Sequence, residues 1–235
     1  MYTRKLLCSL SIVAFTIFSS FMFQQIDNTL TNEEKKAGWE LLFDGKSMKE
    51  WKTYKSKPGS WQVVNGELTC PFGAKDHADL VTKDEYEDFE LSIDWKVERG
   101  ANSGIIYHSR ETGNASYETG PEYQLIDDNG YADKLEDWQK SGADYAMYAP
   151  KTLAAKPQGE WNRTRIVFHK GHVEHWLNGQ KVVEFTAWSP EWEKLKAEGK
   201  WKDYPDYGKF KEGHIVLQDH GGGVSFKNIK VRKIK

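Results

Sequence analysis

Phe89-Glu90-Leu91-Ser92-Ile93-Asp94-Trp95-Lys96-Val97 is the stretch on which the fold turns. Phe89, Leu91, Ile93, Trp95 and Val97 fall on one side and Glu90, Ser92, Asp94 and Lys96 on the other, the period of two that a strand imposes on its side chains. Such a strand offers one face to the core and the other to water. From Trp39 onward the signature recurs in short runs: Trp61 to Thr69, Gly104 to Ser109, Glu122 to Asp127, Trp161 to His169, His172 to Leu177, Gln180 to Phe185, His214 to Asp219 and Val224 to Ile234. Asn65-Gly66, Lys170-Gly171 and Asn178-Gly179 read as two-residue hairpin loops, where glycine accepts the positive φ required. The pattern predicts an all-β chain folded as a two-sheet sandwich of jelly-roll type.

Two insertions interrupt the strands. Ser189-Pro190-Glu191 supplies an N-cap, a proline at the first helical position and an acid at the positive helix end. Gly199 closes the segment, so a helix is expected over 190–198 with Trp192 and Leu195 on its buried side. Asp133 to Lys140 is expected to form another, with Leu135 and Trp138 three residues apart.

A chain of 235 residues accommodates one such domain. Its net charge of −2, without a clustered basic tract, argues against nucleic acid as a partner. Aromatic residues make up 14% of the sequence, more than a core alone demands, so some should line a ligand surface of the kind that binds sugar faces. At the N-terminus Arg4 and Lys5 precede the uncharged run Leu6 to Phe23, which reads as an export signal over residues 1–23. The mature chain then starts between Ser20 and Asn28. The run lacks an Ala-x-Ala cleavage site after Ser19 and Ser20, so an uncleaved N-terminal anchor is the alternative and would be the chain's one contact with a membrane. Residues 24–36 read as a polar linker and 37–235 as the sandwich domain. With Cys8 inside the export run, Cys70 is left alone; no internal disulfide forms, and Cys70 is expected as a small buried hydrophobe.

Alternation also groups the polar residues. Glu122 and Gln124 share a face opposite Tyr123, Leu125 and Asp127, and Gln218 shares one with His220, just before Gly221-Gly222-Gly223 lets the backbone turn. If these strands join the sheet of Asp94, then Asp94, Lys96, Glu122, Gln124, Gln218 and His220 form one polar strip; an ordinary solvated face is the competing reading. His169, His172 and His175 are dispersed by a hairpin and by alternation, which disfavours zinc. Asp127-Asp128-Asn129-Gly130 reads as an acidic turn, because its glycine comes too early for a calcium loop. Nucleotide loops, a nucleophile elbow and the Glu-x-Asp-x-Glu strand of a retaining glucanase are lacking.

Trp39 to Gly45, Asn102-Ser103-Gly104-Ile105, Glu122 to Asp127, Leu177-Asn178-Gly179, Gly213 to Gly221 and Phe226-Lys227-Asn228-Ile229 together resemble the 3-keto-disaccharide hydrolase domain family, in the same order and over nearly all of the chain beyond the linker. Asp94 stands where that family often has Glu, and Lys227 where Arg is frequent. The resemblance implies a concanavalin-like β-sandwich in an exported bacterial protein of the periplasm or cell surface. It also implies hydrolysis of 3-keto-glycosides, small-molecule carbohydrates that a sugar 3-oxidoreductase would supply. A ketone at C3 acidifies the C2 proton, so a base can remove it, the aglycone can leave from C1 and water can add back.

This route needs a base, an acid and a polariser. Glu122 and His220 are the catalytic pair, either one as base. Lys96, Gln124 or Gln218 would bond the enolate oxygen, with Asp94 and Asn102 among the substrate-binding residues. A divalent metal ion held by Asp94, Glu122 or His220 is the alternative polariser. Trp161, Tyr145, Trp138 and Tyr148 are stacking candidates. A non-catalytic carbohydrate-binding sandwich and an ordinary glycoside hydrolase remain the other functions to weigh. The first needs no acid and base in register, and the second lacks its paired-carboxylate strand.

Overall fold

The computed structural model describes residues 26–235; the expected export run and Cys8 lie outside the described residues. Strands β1 (Glu40–Leu41), β2 (Trp51–Thr53), β3 (Gln62–Val64), β4 (Glu67–Cys70), β5 (Leu80–Thr82), β6 (Phe89–Val97), β7 (Asn102–Ser109), β8 (Glu122–Ile126), β9 (Asn162–His169), β10 (His172–Leu177), β11 (Gln180–Thr186), β12 (His214–Leu217) and β13 (Val224–Lys233) accompany two helices, α1 (Asn32–Lys36) and α2 (Pro190–Glu198). The larger sheet runs β11-β10-β9-β6-β13-β4-β3 with β1 added on β13, and the smaller runs β2-β5-β12-β7-β8. All pairs are antiparallel.

The alternation of β6 is what joins the layers. Phe89, Leu91 and Ile93 lie in one buried cluster with Ile166 and Phe168 of β9, Phe226 and Val231 of β13, and Ile105, Tyr107, Tyr123, Leu125, Ile215 and Leu217 of the smaller sheet. Its other face is not simply wet, for Glu90 is 5% and Asp94 6% exposed. Register sets Arg163 opposite Asp94 and Arg232 opposite Glu90. Arg163 forks onto Asp94 at 2.6 and 2.8 Å, while Arg165 and Arg232 both donate to Glu90. Cross-strand charge pairing thus covers polar positions that alternation alone assigns to solvent.

The three hairpins form as the dipeptides require, with φ of 51° and 80° at Asn65-Gly66, 50° and 82° at Lys170-Gly171, and 50° and 83° at Asn178-Gly179. α2 is capped by the Ser189 side chain, which accepts from Trp192 N at 3.2 Å. The second expected helix is reduced to a 3-10 turn at Asp137–Gln139. The acidic turn is satisfied internally: Asp127 accepts from the amides of Gly100 and Asn129, and Asp128 accepts from Ser141 N. Cys70 is buried and unpaired, and burial pushes its thiol up. His175 is a core histidine, bonded to Tyr107 Oη at 3.2 Å and Gly142 O at 3.1 Å, and burial lowers it to about 4.

The segment read as a linker contains α1, closed by a capping box of Thr31 and Glu34. Ahead of it, Asn28 and Asn228 exchange hydrogen bonds of 2.6 and 2.9 Å.

Candidate active site

β7 and β8 are neighbours in the smaller sheet, so their inward residues Ser103, Ile105, Tyr123 and Leu125 leave Asn102, Gly104, Glu122 and Gln124 on the outer face. β8 would be an edge strand, but residues 142–145 run along it: Gly142 N donates to Gln124 O at 2.9 Å, Gln124 N to Ala143 O at 3.1 Å, and Tyr145 N to Glu122 O at 2.9 Å. These bonds set Tyr145 beside Glu122. β12 lies on the far side of β7, and Gln218 N donates to Gly104 O at 2.9 Å, so the chain leaving β12 brings Gln218 and His220 to the same face. Beyond His220 the backbone adopts φ of 96°, 85° and 81° at Gly221, Gly222 and Gly223, a path few other residues accept. Asn102, Tyr117, Glu122, Gln124, Tyr145, Lys200, Gln218 and His220 line the resulting pocket of about 170 Å³.

Glu122 is its most perturbed group. The side chain is 4% exposed, and among the described residues no donor lies within hydrogen-bond distance of its carboxylate. Burial raises it to about 8, opposed by the Lys200 charge and assisted by Asp79. Gly104 makes the room: a Cβ there would stand 2.8 Å from Cγ and Cδ of Glu122, and closer still to Oε1. Asp144, next to Tyr145, is buried with both carboxylate oxygens unpartnered, and burial followed by the Glu122 charge holds it well above the usual carboxylate range.

Asp79 ties two walls together. Its Oδ1 accepts from Asp219 N at 2.8 Å, next to His220, and its Oδ2 accepts from Ser116 Oγ, next to Tyr117. Lys200 opens a 3-10 turn, Lys200–Asp203, directly after the Gly199 cap of α2. Trp201 fixes that turn by donating Nε1–H to Tyr145 O at 3.1 Å and by stacking on Tyr207 at 4.1 Å, and Tyr207 in turn stacks on Trp192 of α2 at 5.9 Å.

The expected strip is therefore divided. Glu122, Gln124, Gln218 and His220 come together with Asn102 and Tyr145, whereas Asp94 and Lys96 belong to β6 in the larger sheet. Asp94 is held by Arg163 and Asn228, and Lys96 bonds Glu67 at 3.0 Å, so neither reaches the pocket and Asp94 cannot share an ion with Glu122 and His220. Trp161 also lies apart, between the ammonium groups of Lys96 and Lys227 at 4.6 and 4.5 Å. Trp138 meets Tyr145 edge-on at 5.3 Å, and Tyr148 stacks on Phe185 at 4.7 Å. Among the described residues the close trio of potential metal ligands is His172, Glu174 and Glu184, on β10 and β11, where Lys181 bridges both carboxylates. Tyr117 and Lys200 were not foreseeable from alternation because both sit on 3-10 turns; the Gly199 helix stop followed by Lys200-Trp201 was the available signal.

A β-sandwich whose smaller sheet buries an unpaired carboxyl in a polar pocket has the make-up of a carbohydrate-active protein, and the comparisons specify its class as a glycoside-bond-cleaving enzyme. The chain belongs to the 3-keto-alpha-glucoside-1,2-lyase-like domain family, whose model matches residues 38–232. A 3-keto-disaccharide hydrolase of Bacteroides thetaiotaomicron is 32% identical over 226 residues, covering 83% of this chain and 78% of the relative. A Parabacteroides distasonis protein provisionally classed as a glycosyl hydrolase superposes with a TM-score of 0.84 at 42% identity, covering 89% of this chain and 100% of the other. A carbohydrate-binding module of Bacillus subtilis shares the sandwich alone, with a TM-score of 0.51 at 11% identity, 78% of this chain and 96% of that one.

Proposed function

We propose that the chain cleaves 3-keto-disaccharides by C2 proton abstraction, β-elimination of the aglycone from C1 and rehydration. The observation that carries this reading is Glu122, a pocket carboxyl that burial keeps protonated below about pH 8. A protonated carboxyl suits the general acid that the departing glycosidic oxygen needs, which leaves His220, in the same pocket lining, as the base at C2. The C2–H electrons form the enolate, the enolate expels the C1 oxygen as it takes the Glu122 proton, and water adds at C1 while C2 is reprotonated. Gln124, Gln218 and Asn102 supply neutral hydrogen bonds around the ring, and Tyr145 and Tyr117 offer apolar edges. A pocket of about 170 Å³ suits one oxidised ring with its partner sugar outside. A binding module would have no use for an unpaired buried acid, which supports the enzyme reading over that alternative.

A substrate of this class is made by oxidising a sugar hydroxyl at C3, so a sugar 3-oxidoreductase acts upstream. Arg4, Lys5 and the uncharged run after them support export before the encounter.

One disaccharide in its 3-keto and unoxidised forms, incubated with the protein in deuterated water, tests the reading. The keto form should be split with deuterium appearing at C2, and the parent should survive. Cleavage without C2 label would overturn the elimination route, and equal cleavage of the parent would point to an ordinary glycosidase. The alkaline limb of kcat/KM should lie near pH 8, where Glu122 loses its proton.

A further inference from the structure

We propose that Lys200 is a catalytic residue of this pocket, the cation that meets the C3 oxygen as the substrate becomes an enolate; the inference rests on the 3-keto-glycoside reading above. Its ammonium lies 4.3 Å from the centroid of the Tyr145 ring, 4.7 Å from that of Trp201 and 6.0 Å from that of Tyr117. Among the described residues no carboxylate comes within ion-pair distance of it. The lysines around Trp161 differ on this point, for Lys96 pairs with Glu67 and Lys227 with Asp27. Aromatic faces attract an ammonium without neutralising it, so no ion partner cancels the charge of Lys200, although burial lowers the ammonium from its ordinary value against the pull of Glu122.

The charge balance of the pocket favours the same role. With Glu122 protonated, the free site carries a positive charge that nothing in it cancels. A ketone substrate is neutral and gains little from that charge, whereas the enolate gains a great deal. An interaction that grows on the way to the transition state raises kcat rather than tightening ground-state binding. The amides of Gln124, Gln218 and Asn102 lack such a charge. Position is secured below the side chain: Gly199 ends α2 immediately before it, and Trp201 immediately after it is buried, stacked and bonded to Tyr145 O. The stem can therefore swing from the rings over the pocket without displacing the backbone.

In the step itself His220 takes the C2 proton. The C2–H electron pair becomes the C2–C3 double bond, and the carbonyl pair moves onto oxygen opposite Lys200. The carbonyl then reforms, the C2–C3 pair moves to make a C1–C2 double bond as the C1–O bond breaks, and Glu122 protonates the leaving oxygen. Lys200 neither gains nor loses a proton.

Lys200 is exposed on one side, so its variants should fold. The test compares Lys200→Met and Lys200→Arg with wild type on a 3-keto-disaccharide and on the 3-keto form of 1,5-anhydroglucitol, which has no leaving group and reports C2 hydrogen–deuterium exchange alone. Lys200→Met should lower kcat by on the order of a hundredfold with KM little changed, and should slow C2 exchange of the deoxy ketone to a similar degree. Lys200→Arg should recover at least about tenfold of that loss, since it restores the charge. A methionine variant with wild-type kcat, a defect confined to KM, or an arginine variant as weak as the methionine one would each overturn the proposal. So would a borohydride-trapped adduct on Lys200, which would mean a covalent imine in place of an electrostatic contact. If wild type exchanges the deoxy ketone but leaves the disaccharide whole, the hydrolase reading fails while the role of Lys200 in enolate formation stands. If wild type does neither, both fall.

Discussion

Glu122 is held in a place that does not suit its charged form, and Gly104 exists beneath it as the space for its carboxyl. An unfolded chain releases that proton near 4.5, whereas the folded protein keeps it to about 8. Between these values the native state holds the extra proton, so stability falls as pH rises through the window and levels off above it. At about 1.4 kcal/mol per pH unit of displacement the penalty amounts to several kcal/mol. Glu122→Gln should therefore match wild type in chemical denaturation at pH 4 and exceed it by more than about 1 kcal/mol at pH 8.5, while losing on the order of a hundredfold or more in turnover. Equal stability at both pH values would mean that solvent reaches the carboxyl freely. Gly104→Ala tests the same site from below. The φ of Gly104 lies outside the left-handed region, so the new methyl acts only through its collision with Glu122. Activity should drop at least about tenfold, with unfolding changed by about 1–3 kcal/mol.

At the scale of elements, the site depends on two short connections that one half-buried side chain joins. Asp79, just before β5, takes hydrogen bonds from the Ser116 hydroxyl and the Asp219 amide, and so fixes the turn of Tyr117 relative to the exit of β12 that carries His220. Asp79→Ala should lower kcat/KM by about tenfold or more and increase amide hydrogen exchange at 116–118 and 219–223, leaving the β6, β9 and β13 amides protected. Uniform loss of protection would instead mark Asp79 as part of the global core.

This division between long strands and short connections also decides what the sequence made legible. β6, β9, β10 and β11 were readable because nine-, eight-, six- and seven-residue strands and positive-φ dipeptides are local signals. β1, β2 and β5, with two or three residues each, have no room for a period. Alternation placed Glu122 with Gln124 and Gln218 with His220 correctly. It carries no information on which sheet a strand joins, and for that reason it groups Asp94 and Lys96 with a pocket that lies on the other layer.

Across the whole molecule the two sheets divide the work. The smaller one carries the pocket on its outer face, while the outer face of the larger one is closed by charge pairs and by the N-terminal segment. Asp27 bonds Lys227 and Asn228 at 2.7 and 2.9 Å, Asn28 reaches Gly66 O at 2.9 Å, and Glu34 pairs with Lys230. Asn228, at φ 54° within a register shift of β13, also donates to Asp94 at 2.8 Å, so the segment, the bulge and the Arg163 pair form one polar seam. Among the described residues no hydrogen bond or ion pair joins this seam to the pocket residues, and the layers meet through an apolar core crossed by hydrogen bonds such as Tyr107 Oη with His175 and Tyr123 Oη to Trp176 O. Removal of residues 26–36 should accordingly lower the melting temperature by about 5 °C, as expected for losing a few partly buried polar contacts, while kcat and KM of the folded fraction stay within about twofold of wild type. Calorimetry paired with steady-state kinetics on a 3-keto-disaccharide separates the two quantities. A truncated protein that melts normally would show that the seam is marginal. One that keeps its melting temperature but loses turnover would show that the larger sheet's outer face bears on catalysis, contrary to the partition of Asp94, Lys96 and Trp161 away from Glu122 and His220.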